Sequence, residues 1–463
     1  MTAPPAVRAG RREWIGLAVL AVPTLLLAVD NSVLYLALPE ITADLGSSST
    51  QTLWITDAYG FMIAGFLITM GTLGDRIGRR RLLLLGALAF GLASAAAAYA
   101  PSAELLIAAR AAMGIAGAAV MPATLSMITD LFRDARQRGM AIAVWTSCFM
   151  AGGALGPVLG GLLLEWYWWG AVFLIGVPVM AVVLVLAPVL LPERRVTDAG
   201  RLELTSVALS LAAILPVVYG LKELAKDPGL VPVLAIVAGA VAGVAFVRRQ
   251  CRLAAPLLDV ALFGDRAFRG ALLVLLAGMA AVGGIYLVTT QYLQLSAGMS
   301  ALAAGLWLVP GAVATIVGSM VAPLLARRYR PGLVVAAGLA VSAAGFLALV
   351  PDVGLGVALV AFSVGMLGTG PLGALGIDLV VGSAPANRAG SASSLAESGG
   401  ELGIALGVAA FGSLATAVTA SSGAVTGAAH ADGLVAVAGA SALLTAVLAG
   451  VSVALLRHVR PTA

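Results

Sequence analysis

The chain has 463 residues, of which 61% are hydrophobic and 11% are charged, with a mean hydropathy of +1.04. Soluble globular chains have about 45–50% apolar and about 25% charged residues, so this composition excludes a water-soluble domain. The formal net charge of +5 predicts no nucleic-acid partner, because Lys and Arg collect in the cytoplasmic loops of membrane proteins.

Apolar stretches of about 20 residues are long enough to cross the hydrocarbon core as helices, and here they recur along the whole chain. The first, Trp14 to Leu36, is too long for the apolar region of a signal peptide and lacks a cleavage site, which predicts a retained span. Spans are predicted near 14–36, 54–74, 82–100, 105–129, 139–163, 168–191, 204–222, 230–247, 270–292, 303–326, 332–350, 354–380, 389–418 and 434–456. The expected fold class is an all-α polytopic membrane protein with 14 transmembrane helices.

The positions of the basic residues predict the orientation of these spans. Of the 27 Lys and Arg residues, 24 fall in the two termini and the even-numbered loops, while Lys222 and Lys226 share one external loop and Arg110 lies within a span. This asymmetry predicts that both termini are cytoplasmic. Polar segments on either side of the seventh and eighth spans divide the chain as 6+2+6, with an N-terminal bundle at 1–191, a central pair at 192–265 and a C-terminal bundle at 266–463.

Several motifs resemble those of the major facilitator superfamily, and specifically its fourteen-span drug:proton antiporter branch. In the first span, LAVDNSVLYLALP is similar to the family signature D-x-x-V-x-x-x-A-L-P, with Asp30 at the acidic position. The resemblance covers nearly the whole chain and implies the major facilitator fold. The additional central pair of spans also fits this branch.

The segment GTLGDRIGRRRL, Gly71 to Leu82, matches the superfamily motif that follows the second span. The resemblance implies a charge latch between the two halves of the protein. Its members are Gly71, Asp75, Arg76, Gly78, Arg79 and Arg80. The alternative is a basic loop that is required only for topology.

Two further motifs lie in the fourth and fifth spans. LLIAARAAMGIAGA resembles the superfamily R-x-x-x-G motif and places Arg110 inside the bilayer, where it needs a carboxylate or carbonyl partner. Arg110 is expected either to tune a proton relay or to clamp helices together. AGGALGPVLGG resembles the antiporter motif, which consists of Gly152, Gly156, Pro157, Gly160 and Gly161. Its small residues favour close helix packing, and its proline permits a bend.

Four acids lie within predicted spans, where each is costly unless it is protonated, paired or hydrated. Glu397 and Glu401 are four residues apart and therefore share one helix face, where two carboxylates do not both ionise readily. The resemblance implies that Asp30, Glu397 and Glu401 take part in proton coupling. It also implies that Asp57 and Glu397 bind cationic substrates, although Asp57 also fits an external gate. Asp130 and Asp378, at cytoplasmic helix ends, are expected to be solvated or capping residues, and one glutamate could instead neutralise Arg110.

Aromatic and amide side chains are candidates for the rest of a substrate cavity, and Trp145, Tyr292 and Gln291 are predicted to contact substrate. No P-loop, nucleophile elbow or metal-ligand cluster occurs, and Cys148 and Cys251 suggest neither a disulfide framework nor a metal site. We therefore expect no enzyme activity and no cofactor, with a proton gradient as the energy source.

The favoured function is export of lipophilic, often cationic drugs by a monomer in a bacterial inner membrane. The alternatives are an exporter dedicated to one endogenous metabolite, and a facilitator or importer on the same fold.

Overall fold

A computed structural model of the chain describes residues 9–132, 134–193, 204–226, 229–253, 256, 258, 260–350, 354–385, 389–421 and 427–456. Within these ranges the protein is helical and contains no strand. The helices are α1 Arg11–Leu45, α2 Ser49–Ile77, α3 Arg79–Ala98, α4 Ala103–Leu131, α5 Ala135–Trp166, α6 Ala171–Leu174, α7 Gly176–Leu190, α8 Leu204–Lys226, α9 Leu230–Gln250, α10 Arg266–Gln291, α11 Ala301–Ala326, α12 Pro331–Leu347, α13 Leu355–Gly382, α14 Ala389–Ser421 and α15 Gly427–Leu456. A π-helical turn, Tyr292–Ser296, extends α10.

The helices satisfy their own backbone hydrogen bonds, which is the requirement that the hydrocarbon core imposes. Polar side chains cap several of their starts; for example, Ser102 accepts a hydrogen bond from the backbone of Leu105, and Asp134 from that of Gln137. Helix α1 ends at Gly46, whose φ of 60° is the left-handed conformation that glycine adopts without strain.

Ten helices in the described ranges are long and apolar enough to cross a membrane, and a bent pair within α5 brings the number to eleven. Each predicted span overlaps a described helix, and the sixth is divided between α6 and α7. The protein is therefore an all-helical membrane protein with about ten or eleven such spans, and fourteen crossings remain a prediction. Most helices extend a few residues beyond the predicted boundaries, because the helix continues past the hydrocarbon layer that sets the hydropathy signal.

The bend in α5 separates Met140–Gly153 from Leu155–Trp166 by 40°. Pro157 has no amide hydrogen to donate to the carbonyl four residues earlier, which belongs to Gly153, so the hydrogen-bond ladder is interrupted at the break. The bend that the sequence permits at this proline is present in the structure.

The two ends of the chain repeat one packing scheme. Helix α1 packs against α5, α2 against α4, and α3 against α4 and α7; in the same order, α10 packs against α14, α11 against α13, and α12 against α13 and α15. Two main contacts join these groups, α5 with α11 and α2 with α14. Helices α8 and α9 pack against each other, and α8 also contacts α2 and α14.

Helix α8 covers the seam between α2 and α14 with an apolar cluster. Phe61 of α2, Val218 of α8 and Ala405 of α14 form its buried centre. Nearby, the Thr50 hydroxyl donates a hydrogen bond of 3.0 Å to the Glu223 carboxylate of α8. This seam is where the acids of the candidate site lie.

Candidate functional site

Arg110 of α4 and Asp30 of α1 form a buried ion pair. Their Nη1 and Oδ2 atoms are 2.6 Å apart, and the side chains are 0% and 4% exposed. The guanidinium also donates from Nε to the carbonyl oxygen of Ile55 on α2 at 3.2 Å. Arg110 thus has both kinds of partner that its position in the membrane requires, one from each of two neighbouring helices.

The ring of Tyr59 lies against the same guanidinium, whose central carbon is 4.4 Å from the ring centroid. This arrangement adds a cation–π contact to the ion pair. Gly114, one turn after Arg110, permits it, because a Cβ atom there would collide with the backbone carbonyl of Tyr59. In the R-x-x-x-G motif, the arginine therefore supplies the buried cation, and the glycine permits the close packing of α4 against α2 beside it.

Glu397 and Glu401 lie on the face of α14 that is directed toward α2. A Cβ atom at Gly60 of α2 would lie 3.1 Å from Cβ of Ala405, one helical turn beyond Glu401. On another face of α14, Gly403 and Gly407 pack against the backbone of α10. The two glutamates thus follow the α2–α14 contact toward the loop that connects α13 and α14.

Both glutamates are partly exposed, in contrast to the enclosed Asp30. The hydrogen bonds and ion pairs of the described residues include none to either carboxylate. Their helical spacing places them within mutual electrostatic range. They form a pair of acids that can hold a proton or a cation, whereas the charge of Asp30 is already matched by Arg110.

Two tyrosines lie near both Glu401 and the ion pair. Tyr59 lies within electrostatic range of Asp30, Arg110 and Glu401. Tyr35, which is 5% exposed, lies within such range of Arg110 and Glu401 as well. The acids of α1 and α14 therefore belong to one electrostatic cluster.

Asp57 is enclosed in the protein, with 1% of its surface exposed. It lies within electrostatic range of Tyr35, whose ring centroid is 5.4 Å from that of Tyr286 on α10. Asp57 therefore lies in the interior of the protein beside Tyr35 of α1, and its role as a substrate contact or an external gate remains a prediction.

Gln291 and Tyr292 line a cavity of about 510 Å³ at the ends of α1, α10 and α14 and the starts of α2 and α15. The lining of the cavity combines apolar side chains, such as Leu38 and Val288, with polar ones, such as Thr416 and His430. The predicted substrate contacts are therefore divided between this cavity and the region of the glutamates.

Trp145 lies elsewhere. Its indole donates a hydrogen bond of 3.2 Å to the Thr124 hydroxyl of α4, and the residue is 9% exposed. Trp145 is part of the large apolar core, and a substrate contact there remains a prediction.

The residues of the predicted latch hold α3 to its own half of the protein. Arg79 forms an ion pair of 2.9 Å with Asp130 of α4. Arg80 donates hydrogen bonds to the carbonyl oxygens of Pro188 and Leu191 and faces Glu193 at 3.7 Å. Asp130 is thus an ion-pair partner rather than the solvated or capping residue expected from its position.

The remaining latch residues are Gly71, Asp75, Arg76 and Gly78, and their surroundings differ. Arg76 is exposed, and a Cβ atom at Gly71 would find ordinary contact with Pro122. Gly78 has a φ of 108°, and a Cβ atom there would collide with the Glu193 carboxylate. The side chain of Asp75 lies outside the described residues, and the described partners of Arg79 and Arg80 all lie between 126 and 193.

The glycines of the antiporter motif hold α5 between α1 and α11. Cβ atoms at Gly152, Gly156 and Gly160 would collide with Leu25, Ser32 and Val33 of α1, respectively. On the opposite side, Gly161 meets the backbone at Leu302, and Gly305 of α11 meets the carbonyl of Pro157. The motif therefore permits the α5–α11 contact, one of the two main joints between the halves.

Sequence reasoning missed Tyr35, Asp130 and Glu193 as members of these networks. Tyr35 belongs to the first-span signature, but five residues of helix rotate it by about 140° away from the face of Asp30, so this spacing gave no signal. Nothing in the sequence distinguishes Asp130 and Glu193 from other acids at helix ends.

Comparison with known proteins identifies the family. Residues 20–408 match the model of the Major Facilitator Superfamily. The chain belongs to this superfamily. It is 44% identical over 419 residues to the multidrug efflux pump LfrA of Mycolicibacterium smegmatis, with coverage of 89% of this chain and 83% of LfrA. It is 35% identical to the methyl viologen resistance protein SmvA of Salmonella typhimurium, with coverage of 87% and 82%.

A solved transporter structure has the same fold. The crystal structure of a bacterial homolog of the human lysosomal transporter Spinster superposes with a TM-score of 0.70 at 17% identity, covering 97% of this chain and 98% of that one. The protein is thus a multi-pass membrane transporter of the major facilitator fold, not an enzyme.

Proposed function

We propose that the protein is a proton-coupled antiporter that exports lipophilic, often cationic compounds from the cytoplasm. In this proposal it has fourteen spans arranged as 6+2+6, with bundles at 1–191 and 266–463 and the central pair within 192–265. It acts as a monomer in a bacterial inner membrane, with both termini in the cytoplasm. The distribution of basic residues and the repeated packing scheme support this arrangement.

The observation that carries the proposal is the glutamate pair at the α2–α14 seam. Glu397 and Glu401 have no hydrogen-bond or ion-pair partner among the described residues, yet both are partly exposed. An acid without a fixed cation at membrane depth is stable when it binds a proton, and it attracts a cationic substrate when it is ionised. One site can therefore hold either ion, and this competition couples their movements.

The Asp30–Arg110 pair supplies a second step in the proposal. While Asp30 is ionised it holds Arg110, and the positive charge is compensated locally. A proton on Asp30 would release that compensation, and the charge of Arg110 would then act on Glu401, because Tyr59 lies within electrostatic range of both groups. A cation at the glutamates is thereby disfavoured when Asp30 is protonated.

Two contacts join the halves near the ends that the proposal places outside. Leu302 of α11 packs on Gly161, and Leu53 of α2 packs on Gly412 of α14. In the proposed orientation these contacts separate the glutamates from the outside, so substrate reaches the acids from the cytoplasm. Export then requires the α5–α11 and α2–α14 contacts to separate.

The substrate class rests on the charge of the site and on the names of the relatives. Methyl viologen is a flat dication, and acids without matched cations suit such a ligand. Asp57, Gln291 and Tyr292 are the proposed further contacts, along the path from the glutamates to the outer cavity. A dedicated metabolite exporter remains the second candidate, favoured by the uncharged hydrogen-bonding side chains, such as Gln291 and Thr416, in the outer cavity.

Transport by purified protein in sealed vesicles tests the proposal. With an imposed pH gradient, the wild type is expected to move a fluorescent lipophilic cation against its concentration gradient, while Glu401→Gln does not. Asp378→Asn is the matched control, because it also removes one carboxylate but lies near the end of α13. Equal transport without a gradient by wild type and Glu401→Gln would instead establish a facilitator.

A further inference from the structure

Helix α9 lies at the periphery of the protein. Only 11% of the residues in its apolar stretch are buried, compared with 72% for α1. Its packing is mainly against α8, where Gly239 meets the carbonyl of Ala213 and Gly220 meets that of Pro232. The remaining surface of α9 faces the surroundings of the protein, which in this part of the chain are lipid.

One stripe of that surface forms a groove of about 740 Å³. Val237, Val241 and Val244 line it at the spacing of a single helix face, and all three are exposed. Arg248 and Arg252 continue the same spacing at its end. The eleven residue steps from Val237 to Arg248 rise by about 16 Å, close to half of the roughly 30 Å hydrocarbon core.

The end of the groove is strongly basic. Arg248, Arg249 and Arg252 all line it, and the sequence from 229 to 258 contains no Asp or Glu. Arg249 donates from Nε to the Ser206 hydroxyl at 3.3 Å, which ties it to the start of α8. Arg248 and Arg252 are exposed and have no hydrogen-bond or ion-pair partner among the described residues.

An apolar stripe one leaflet long that ends in three guanidinium groups matches the shape and charge of an anionic phospholipid. We propose that this groove binds one such lipid from the cytoplasmic leaflet. An acyl chain lies along Val237 to Val244, and the phosphate is held by Arg248, Arg249 and Arg252. Guanidinium groups suit this role because their donors match phosphate oxygens in pairs.

Lipid binding to this groove is expected to affect transport, because α9 packs against α8. Helix α8 packs over the seam between α2 and α14 through Val218 and its neighbours. A lipid that fixes α9 at the membrane surface also fixes the hairpin that covers the seam. The occupancy of the groove is therefore expected to stabilise the region beside Glu401.

Lipid binding to purified, delipidated protein tests the proposal. Native mass spectrometry would compare dioleoyl phosphatidylglycerol with dioleoyl phosphatidylcholine for wild type, for Arg248→Gln/Arg252→Gln and for Arg327→Gln/Arg328→Gln. The third protein is the matched control, because it loses the same charge from exposed arginines at the end of α11. Each arginine near an anionic headgroup contributes about fivefold in affinity, so the groove variant should bind phosphatidylglycerol roughly 30-fold more weakly.

Control binding close to that of the wild type is expected, together with preference for phosphatidylglycerol over phosphatidylcholine. Val241→Trp distinguishes binding in the groove from attraction by the basic charge alone, because it keeps all three arginines and fills the apolar stripe. This variant should also weaken phosphatidylglycerol binding. Equal losses in the two arginine variants, equal binding of the two lipids, or full binding by Val241→Trp would each overturn the proposal.

Discussion

The buried ion pair of Asp30 and Arg110 offers the sharpest test of the structure. Asp30→Asn keeps a hydrogen-bond acceptor but removes the charge opposite a guanidinium that is 0% exposed. Removal of one partner from a buried ion pair costs about 3–5 kcal/mol, because the other charge stays desolvated without compensation. Asp30→Asn and Arg110→Gln are each expected to lower the free energy of unfolding by that amount.

The double variant Asp30→Asn/Arg110→Gln distinguishes the pair from two independent losses. With both charges gone, no uncompensated ion remains, so the double variant should be more stable than the sum of the single losses predicts, by about 2 kcal/mol or more. The assay is reversible unfolding in mixed detergent micelles, followed by helical circular dichroism across the four proteins of the cycle.

The pair formed by Arg79 and Asp130 is the internal control for this cycle. Its atoms are 2.9 Å apart, but its side chains are 21% and 22% exposed. A partly exposed pair contributes about 1 kcal/mol or less, so its cycle should show little coupling. Additivity within about 0.5 kcal/mol for Asp30 and Arg110, or equal coupling in the two cycles, would refute the inference that the buried pair compensates its own charges.

Two further predictions concern glycines. Gly152→Ala should destabilise the protein by about 1–3 kcal/mol, because its Cβ atom would collide with the backbone carbonyl of Leu25. Gly153→Ala is the control, because its Cβ atom would enter open space; it should be neutral or slightly stabilising in the same unfolding assay. Gly78→Ala should lower the free energy of unfolding by about 1–2 kcal/mol, because φ is 108° and the Glu193 carboxylate occupies the space of a Cβ atom. Stability equal to that of the wild type would show that the backbone turn at Gly78 is not fixed.

The sequence predicted the class of fold and the position of every long helix. That success has a physical cause, since the bilayer requires long apolar helices and their charged connections lie in water. The all-helical major facilitator fold is confirmed by the family match and the structural similarity. The number of crossings is harder to establish, because helices such as α12, with 17 residues, are short for a membrane span.

The site was only partly predictable. Hydropathy identified Asp30, Arg110, Glu397 and Glu401 as costly residues, but it could not tell which acid Arg110 contacts. That choice depends on the rotation of α1 and α14 about their axes, which tertiary packing sets. The same uncertainty explains Trp145, whose aromatic character suits a cavity and a core equally well, and which the structure places in the core against Thr124.

Competition between a proton and a cationic substrate for the glutamate pair is the central claim, and proton release on binding measures it directly. A lipophilic cation is added to purified protein in weakly buffered detergent solution near neutral pH, with a pH-sensitive dye as reporter. Wild type and Asp378→Asn are expected to release protons on binding, and Glu397→Gln/Glu401→Gln is expected to release none. Binding of the cation to wild type without proton release, across the pH range 5–8, would contradict the claim that the two ions share these acids.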